Sequence, residues 1–246
     1  MGIKGLFPFL KRWEQDVSLE ILMDKSVGLD IFWFLHQSKG NMSVLEELLQ
    51  PYLANAREVC AVFDGTPSVS RQQELAERRE KREEQQSTID VVEQVMSDSY
   101  PVLEEPQKRV LQRYLQQLKR QVWAPSPEYV QQVSEWLQEK GAIIHVAEEE
   151  ADTLLVDLER TGQIQIIVSN DSDLLTWGAR SLLRPYGDRG KWLYRDHLLR
   201  NMELTHEQWM NFMYLCRYKK NPDFLQAYSL VRVYSDMDQM IEYYEV

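Results

Sequence analysis

Cysteine is scarce in this 246-residue chain: Cys60 and Cys216 are its only two, and Cys60 lies inside a strand-like apolar run. That argues against a disulfide framework or a cysteine-based metal site, and for a reducing compartment. Long apolar runs are also missing. No stretch approaches the length of a membrane span, and the N-terminus lacks a signal-peptide pattern. The expectation is a soluble, intracellular protein with no membrane partner. Positive charge is in the minority, since 28 Lys and Arg stand against 39 Asp and Glu, a formal net charge of −11 with a pI of about 5.0. A general attraction to nucleic acid is thereby excluded, though not a local basic patch or bound metal ions. No solenoid-type repeat is present. With 43% apolar residues, the length suits one sizeable core with an inserted helical subdomain.

What the chain does have is acid at particular places. Asp30, Asp64, Glu150, Asp152, Asp171 and Asp173 each follow an apolar, strand-like run: Ser26–Leu29, Glu58–Phe63, Ala142–Val146 and Gln165–Ser169. Asp223 is a seventh candidate. Aspartate is common at helix N-caps and in turns, so any one of these taken alone reads as a cap. Two Asp-x-Asp-like pairs and two single aspartates after four strands are harder to explain that way. In a parallel α/β sheet the carboxyl ends of the strands share one edge, where ligands bind. Six carboxylates along that edge repel one another unless cations sit among them. Hard oxygen donors in that number suit Mg²⁺ or Mn²⁺, which points to a two-metal site for phosphoryl chemistry.

The order of elements agrees. Residues 1–64 read as short helix, strand, helix, strand, with helix candidates at Ile31–Gln37 and Val44–Ala56. From Ser68 to about Gln86 the chain is dense in charge and strong in helix propensity, a solvated helix laced with i,i+4 pairs. Arg71 and Arg78, two turns apart, share a face that can point back toward the acids. Residues 97–106 read as a loop, followed by helices at Lys108–Val122 and Pro127–Lys140, the second ended by Gly141. Strand, acid pair and helix then repeat over 142–161 and 165–179. Gly187–Gly190 reads as a hairpin turn at the sheet edge, and 205–246 as helical. The fold class expected is α/β: a doubly wound, mostly parallel sheet with helices on both faces and a helical arch insertion.

Four blocks carry a family resemblance: Met1-Gly2-Ile3-Lys4-Gly5-Leu6, Val62-Phe63-Asp64-Gly65, Glu150-Ala151-Asp152 and Asn170-Asp171-Ser172-Asp173-Leu174-Leu175. Together with Trp33-Phe34-Leu35-His36 they resemble the flap-endonuclease family, the structure-specific 5′ nucleases of DNA replication and repair, nearest its exonuclease-1-type branch. The resemblance implies one 5′-nuclease (PIN-like) domain over 1–246, with a charged arch insertion at 68–106 and a C-terminal duplex-binding region at 205–246. It implies that Asp30, Asp64, Glu150, Asp152, Asp171 and Asp173 hold two Mg²⁺ ions, with Mn²⁺ as a substitute, and that Glu148 and Glu149 are extra charge. Arg71 and Arg78 match the basic pair on the arching helix, His36 an aromatic position near the scissile nucleotide, and Gly2 a terminal glycine packed close to the site. The implied substrate is DNA with a 5′ flap, a nick or a 5′ end, cleaved by a monomer to leave a 5′ phosphate. In a eukaryote the implied compartment is the nucleus.

The departures lie at the C-terminal end. Where the family has a glycine-rich helix–two-turn–helix, this chain has Cys216-Arg217-Tyr218-Lys219-Lys220-Asn221-Pro222-Asp223-Phe224, without a glycine. Asp223 falls within two residues of the family's last carboxylate, and Arg217, Lys219 and Lys220 are the candidate phosphate contacts in place of the hairpin. No sliding-clamp-binding tail is recognisable. The sequence is also compatible with an RNA-directed nuclease, because recognition of the 2′-hydroxyl leaves no motif. A non-catalytic nucleic-acid-binding scaffold is a further alternative, weakened by six mutually repelling acids that a scaffold does not need.

Overall fold

The computed structural model describes residues 2–67, 69–99, 104–219 and 221–245. Its centre is a seven-stranded sheet built from β1 (Gln15–Ser18), β2 (Ser26–Asp30), β3 (Glu58–Phe63), β4 (Ile143–Val146), β5 (Ile166–Val168), β6 (Ser181–Tyr186) and β7 (Arg189–Tyr194). The spatial order is β1-β7-β6-β5-β2-β3-β4. The five strands from β6 to β4 run parallel, while β7 and β1 close one side antiparallel. The expected mostly parallel sheet is therefore present. The order reverses at β2, which lies between β5 and β3, and such a switch point opens a crevice at the strands' carboxyl ends.

Helices cover both faces. On one side β3 contributes Val59, Ala61 and Phe63 to a core with α2 (Ile31–Ser38), α3 (Met42–Asn55) and α6 (Pro127–Glu139). On the other, Cys60 and Val62 pack with α1 (Leu6–Leu10), α7 (Ala151–Arg160), α8 (Asp173–Thr176) and α9 (Arg195–Met202). The same core takes in α10 (His206–Tyr218), α11 (Phe224–Val233) and α12 (Met237–Glu245). Alternate residues of one strand thus serve opposite cores, as period-2 geometry requires. Strand β2, buried at every position, shows why the central strands read as continuous apolar runs.

Three sequence readings need correction. The loop expected over 97–106 is narrower, because α4 runs from Val69 to Ser99 and α5 from Glu105 to Val122. The charged helix expected to about Gln86 continues to Ser99 and packs against α5, tied by an ion pair between Lys119 and Glu93 at 2.5 Å. Helix propensity persists through the polar stretch, which lacked the apolar periodicity that would have announced it. Strand β1 was not anticipated either. It is a four-residue edge strand held by β7, too short to show alternation. The hairpin after β6 is as read, with Gly187 at φ 59° in the left-handed region that favours glycine.

Candidate metal centre at the carboxyl edge of the sheet

Each acid reaches the edge by a local device. Asp30 ends β2 and caps α2, its Oδ1 accepting from the Trp33 amide at 3.3 Å. Its Oδ2 accepts from the Ser169 hydroxyl at 2.6 Å. Asp64 leaves β3, and its Oδ1 accepts from the Ala151 amide at 2.8 Å, which fastens the β3 end to the start of α7. Glu150 sits at the N-cap position of α7 and Asp152 in its first turn. Asp171 and Asp173 follow β5, and the Asp173 amide donates to Asp171 Oδ1 at 2.9 Å. Ser169, fully buried, donates to Asp30 and accepts from the Asp171 amide at 3.0 Å, joining two strand ends.

The electrostatics show that the acids share one field. Burial, followed by the charges of Asp30, Asp171, Asp64 and Asp173, pushes the Asp152 carboxyl up to about 8. Burial likewise raises Asp30 to about 6, against the Ser169 hydrogen bond and with the repulsion of Asp64 and Asp171 added. Asp64 and Asp173 are raised too, chiefly by burial. Carboxylates in this condition are stabilised by a cation of high charge density, and an all-oxygen donor set fits Mg²⁺ or Mn²⁺. Among the described residues, however, no three His, Cys, Asp or Glu side chains are arranged to hold an ion outright. The strand ends are brought together at one edge of the sheet. Hydrogen bonds from Trp33, Ser169, Ala151 and Asp173 hold the carboxylates of Asp30, Asp64 and Asp171 in place.

The cations expected nearby divide into two groups. Arg71, on α4, forms an ion pair with Glu150, and its charge opposes the rise at Asp64. Arg78 lies a further two turns along α4, where its charge reaches His36. The His36 ring stands at the end of α2, 5.7 Å edge-to-face from Trp123. The surrounding protein, then Lys39, Arg82 and Arg78, hold its pKa below the ordinary value, so the ring is neutral at neutral pH. Gly2 also lies where the resemblance put it. A Cβ there would collide with Ser172 and stand 2.7 Å from Asp171 Oδ1.

The C-terminal candidates are corrected by the structure. Asp223 is an exposed N-cap of α11, its Oδ1 accepting from the Leu225 and Gln226 amides, each at 3.0 Å. The motif was too degraded to separate a cap from a ligand. Lys219 donates to the Tyr244 carbonyl, and its ammonium lies 4.4 Å over the Tyr244 ring, so it ties α10 to α12 rather than pointing at phosphate. Lys220 falls outside the described residues. Arg217 does face the site, and its charge opposes the raised pKa of Asp173.

Sequence reasoning missed several parts of the site. The Gly65 and Thr66 amides donate to the Glu149 and Glu148 carbonyls at 2.7 and 3.0 Å, and a Cβ on Gly65 would collide with that backbone. The two extra glutamates therefore serve through their main chain, a role invisible in side-chain identity. Arg184 pairs with Glu14, donates to Asn170 at 2.7 Å and lies 3.6 Å over the Phe7 ring. It thereby fixes the N-terminal segment against the loop of Asp171. A serine closing an apolar strand was the one available signal for Ser169.

A model of the XPG I-region matches residues 141–219, the stretch containing both acid pairs of β4 and β5. DNA damage-inducible protein DIN7 of Saccharomyces cerevisiae is 27% identical, covering 98% of this chain and 59% of that protein. Flap endonuclease 1 of Babesia bovis is 26% identical, covering 98% of this chain and 39% of its own length. This chain therefore spans less than two thirds of the length of either relative. A solved catalytic core of Rad2 in complex with DNA substrate superposes at TM-score 0.68 with 15% identity, over 99% of this chain and 73% of that one. The flap-endonuclease resemblance read from four sequence blocks is borne out, and the fold is the one these nucleases share.

Proposed function

We propose, from the premise that this chain is a relative of the flap endonucleases carrying their fold and an XPG I-region, that it hydrolyses DNA phosphodiester bonds as a metal-dependent 5′ nuclease. Its substrates on this reading are 5′ flaps, nicks or 5′ ends, and its product carries a 5′ phosphate. The observation that carries the reading is Asp152, half-buried, whose pKa is lifted to about 8 first by burial and then by the charges of four other carboxylates. A folded protein tolerates that repulsion where function requires it, and phosphoryl transfer by two cations is the chemistry that uses it.

Two Mg²⁺ ions, held by Asp30, Asp64, Glu150, Asp152, Asp171 and Asp173, would supply Lewis acidity at the scissile phosphate when bound. The remaining work belongs to the chain. Asp30 and Asp64 are anchored by backbone amides, so the first pair of strand ends is positioned before any ligand arrives. Arg71 is held by Glu150 at the edge of the site, where its guanidinium can exchange a carboxylate for a phosphate. Arg78 supplies a second cation beside His36, whose neutral ring can lie against a base without bringing charge. Gly2 allows the N-terminal segment to close over Asp171 where any side chain would intrude.

The test uses 5′-labelled flap, nicked, single-stranded DNA and RNA substrates with Mg²⁺, Mn²⁺ or EDTA. Cleavage of DNA in Mg²⁺ and Mn²⁺ but not EDTA, releasing 5′-phosphorylated ends, is the expected result. Cleavage confined to RNA would replace the substrate, and full activity in EDTA would overturn the mechanism.

A further inference from the structure

We infer that Trp177, Tyr214 and Tyr218, with Arg217 among them, form a stacking platform for unpaired bases of a single strand running alongside the acid edge. The inference rests on the nucleic-acid reading above and specifies a subsite for it. Tyr214, Arg217 and Tyr218 fall at i, i+3 and i+4 of α10 and so share one face. Their neighbours Phe212, Met213, Leu215 and Cys216 are buried in the core, so the face is held rigidly. The two tyrosine rings stack 6.2 Å apart with 28° between their planes, and they remain 50% and 46% exposed. Trp177 follows α8 directly and is 42% exposed. The Arg217 guanidinium lies 5.0 Å over its ring and bridges α10 to the helix that begins with Asp173.

A stacked pair of half-exposed tyrosines, joined through Arg217 to a half-exposed tryptophan, marks an interaction surface rather than ordinary surface scatter. Its chemistry favours a single strand over the other occupants. Every base offers a π-face, so aromatic rings bind strands without sequence preference. Arg217 adds a planar cation that serves either a base face or a backbone phosphate. Paired bases inside a duplex are already stacked on both faces, so only its terminal pair offers a face to the platform. An apolar protein segment would bury Arg217 without an anionic partner, which is costly. The location adds the last argument, because Trp177 caps the short helix that begins with Asp173 and Arg217 lies over the Trp177 ring. A strand stacked here therefore lies next to the proposed site of hydrolysis.

The experiment measures binding by fluorescence anisotropy in EDTA. Its three ligands are a labelled single-stranded oligodeoxynucleotide, an abasic strand of equal length and charge, and a blunt hairpin duplex. The wild type should bind the normal strand about tenfold more tightly than the abasic one, the scale of one base–aromatic stack. Replacing both Tyr214→Ala and Tyr218→Ala should erase that difference and leave duplex affinity unchanged, whereas Tyr214→Phe with Tyr218→Phe should keep it. Trp177→Leu gives an independent variant should the alanine pair melt early. Equal wild-type binding of normal and abasic strands, or an alanine variant that weakens all three ligands alike, would overturn the platform. Cleavage assays on the same preparation separate the two readings. Base-dependent binding without hydrolysis would refute the nuclease and spare the platform, while hydrolysis without base-dependent binding would do the reverse.

Discussion

Asp30 and Asp223 do the same local job with opposite consequences. Both are N-caps, of α2 and α11. Asp223 is exposed, and its two hydrogen bonds from backbone amides are a plain stabilising contribution. Asp30 is 7% exposed and faces Asp64 and Asp171, and its carboxyl is raised to about 6. The contrast extends to the regions around them. In the C-terminal helices charge is satisfied locally: Thr205 and Gln208 form a reciprocal capping box, and Lys219 is fastened to Tyr244. At the sheet edge five aspartates converge, and the charges of Arg71 and Arg217 offset part of the rise at Asp64 and Asp173. Capping preference cannot separate ligand from cap. The company a carboxylate keeps can.

The sharpest way to break this comparison is to remove one acid from each region. Asp64→Ala and Asp171→Ala should each lower metal-dependent hydrolysis by at least the roughly thousandfold that loss of a transition-state electrostatic partner can cost. Asp223→Ala should leave the rate unchanged. Single-turnover cleavage of a flap substrate in Mg²⁺ reads both, and a comparable loss in Asp223→Ala would return that residue to the metal site.

Arg78 comes next. Should it act on the reacting phosphate, Arg78→Ala will slow cleavage of bound substrate by about a hundredfold while changing affinity little. Arg71→Ala should show a smaller rate loss, because it also releases Glu150 from its ion pair. An affinity loss with the bound-state rate intact would make both residues simple phosphate contacts.

Much of the acid edge was legible because strands announce themselves. Apolar runs ending in aspartate identify both the strand and the direction its last side chain takes. That logic brought all six carboxylates to the edge, helix spacing turned Arg71 toward them, and Gly2 and His36 came from the family resemblance. It failed where function passes through the main chain or through contacts distant in sequence. Glu148 and Glu149 act by their carbonyls, Arg184 links positions 7, 14 and 170, and Lys219 meets a residue 25 positions away. The length of α4 was hidden for another reason. Most of its described side chains are exposed, so little apolar periodicity exists to be read.

A third prediction concerns pH in the absence of metal. Asp152 and Asp30 have folded pKa values of about 8 and about 6, above the ordinary 3.8. The folded state therefore holds more protons than the unfolded state between about pH 4 and 8. Stability contributed by the protonated forms is complete below pH 4 and is lost as pH rises through the folded values, with a slope of at most about 1.4 kcal/mol per pH unit for each group. The melting temperature in EDTA should rise as pH falls from 8 to 6. Asp152→Asn should flatten that rise and stabilise the protein at pH 8, and excess Mg²⁺ should do the same to the wild type. A melting temperature that falls over this interval in EDTA would mean that the edge carries no such repulsion.

The smallest effects belong to the C-terminal helices, and they sharpen the comparison from its stable side. Asp223→Ala removes a cap with two amide partners, and the loss of such a cap costs about 1 kcal/mol. In a chain of this size that corresponds to a melting temperature lower by about 2–4 °C. Lys219→Ala breaks the link between α10 and α12 and should produce a decrease of similar size. Neither substitution should alter the response to Mg²⁺ or to pH, because neither residue shares the field of the acid edge. The salt dependence of duplex binding provides the deciding measurement for Lys219. A phosphate contact would reduce the slope of log affinity against log salt by about one unit when removed. A lysine committed to the Tyr244 carbonyl leaves that slope unchanged while the melting temperature falls. A shallower slope with unaltered melting would instead show that Lys219 leaves Tyr244 to grip the duplex.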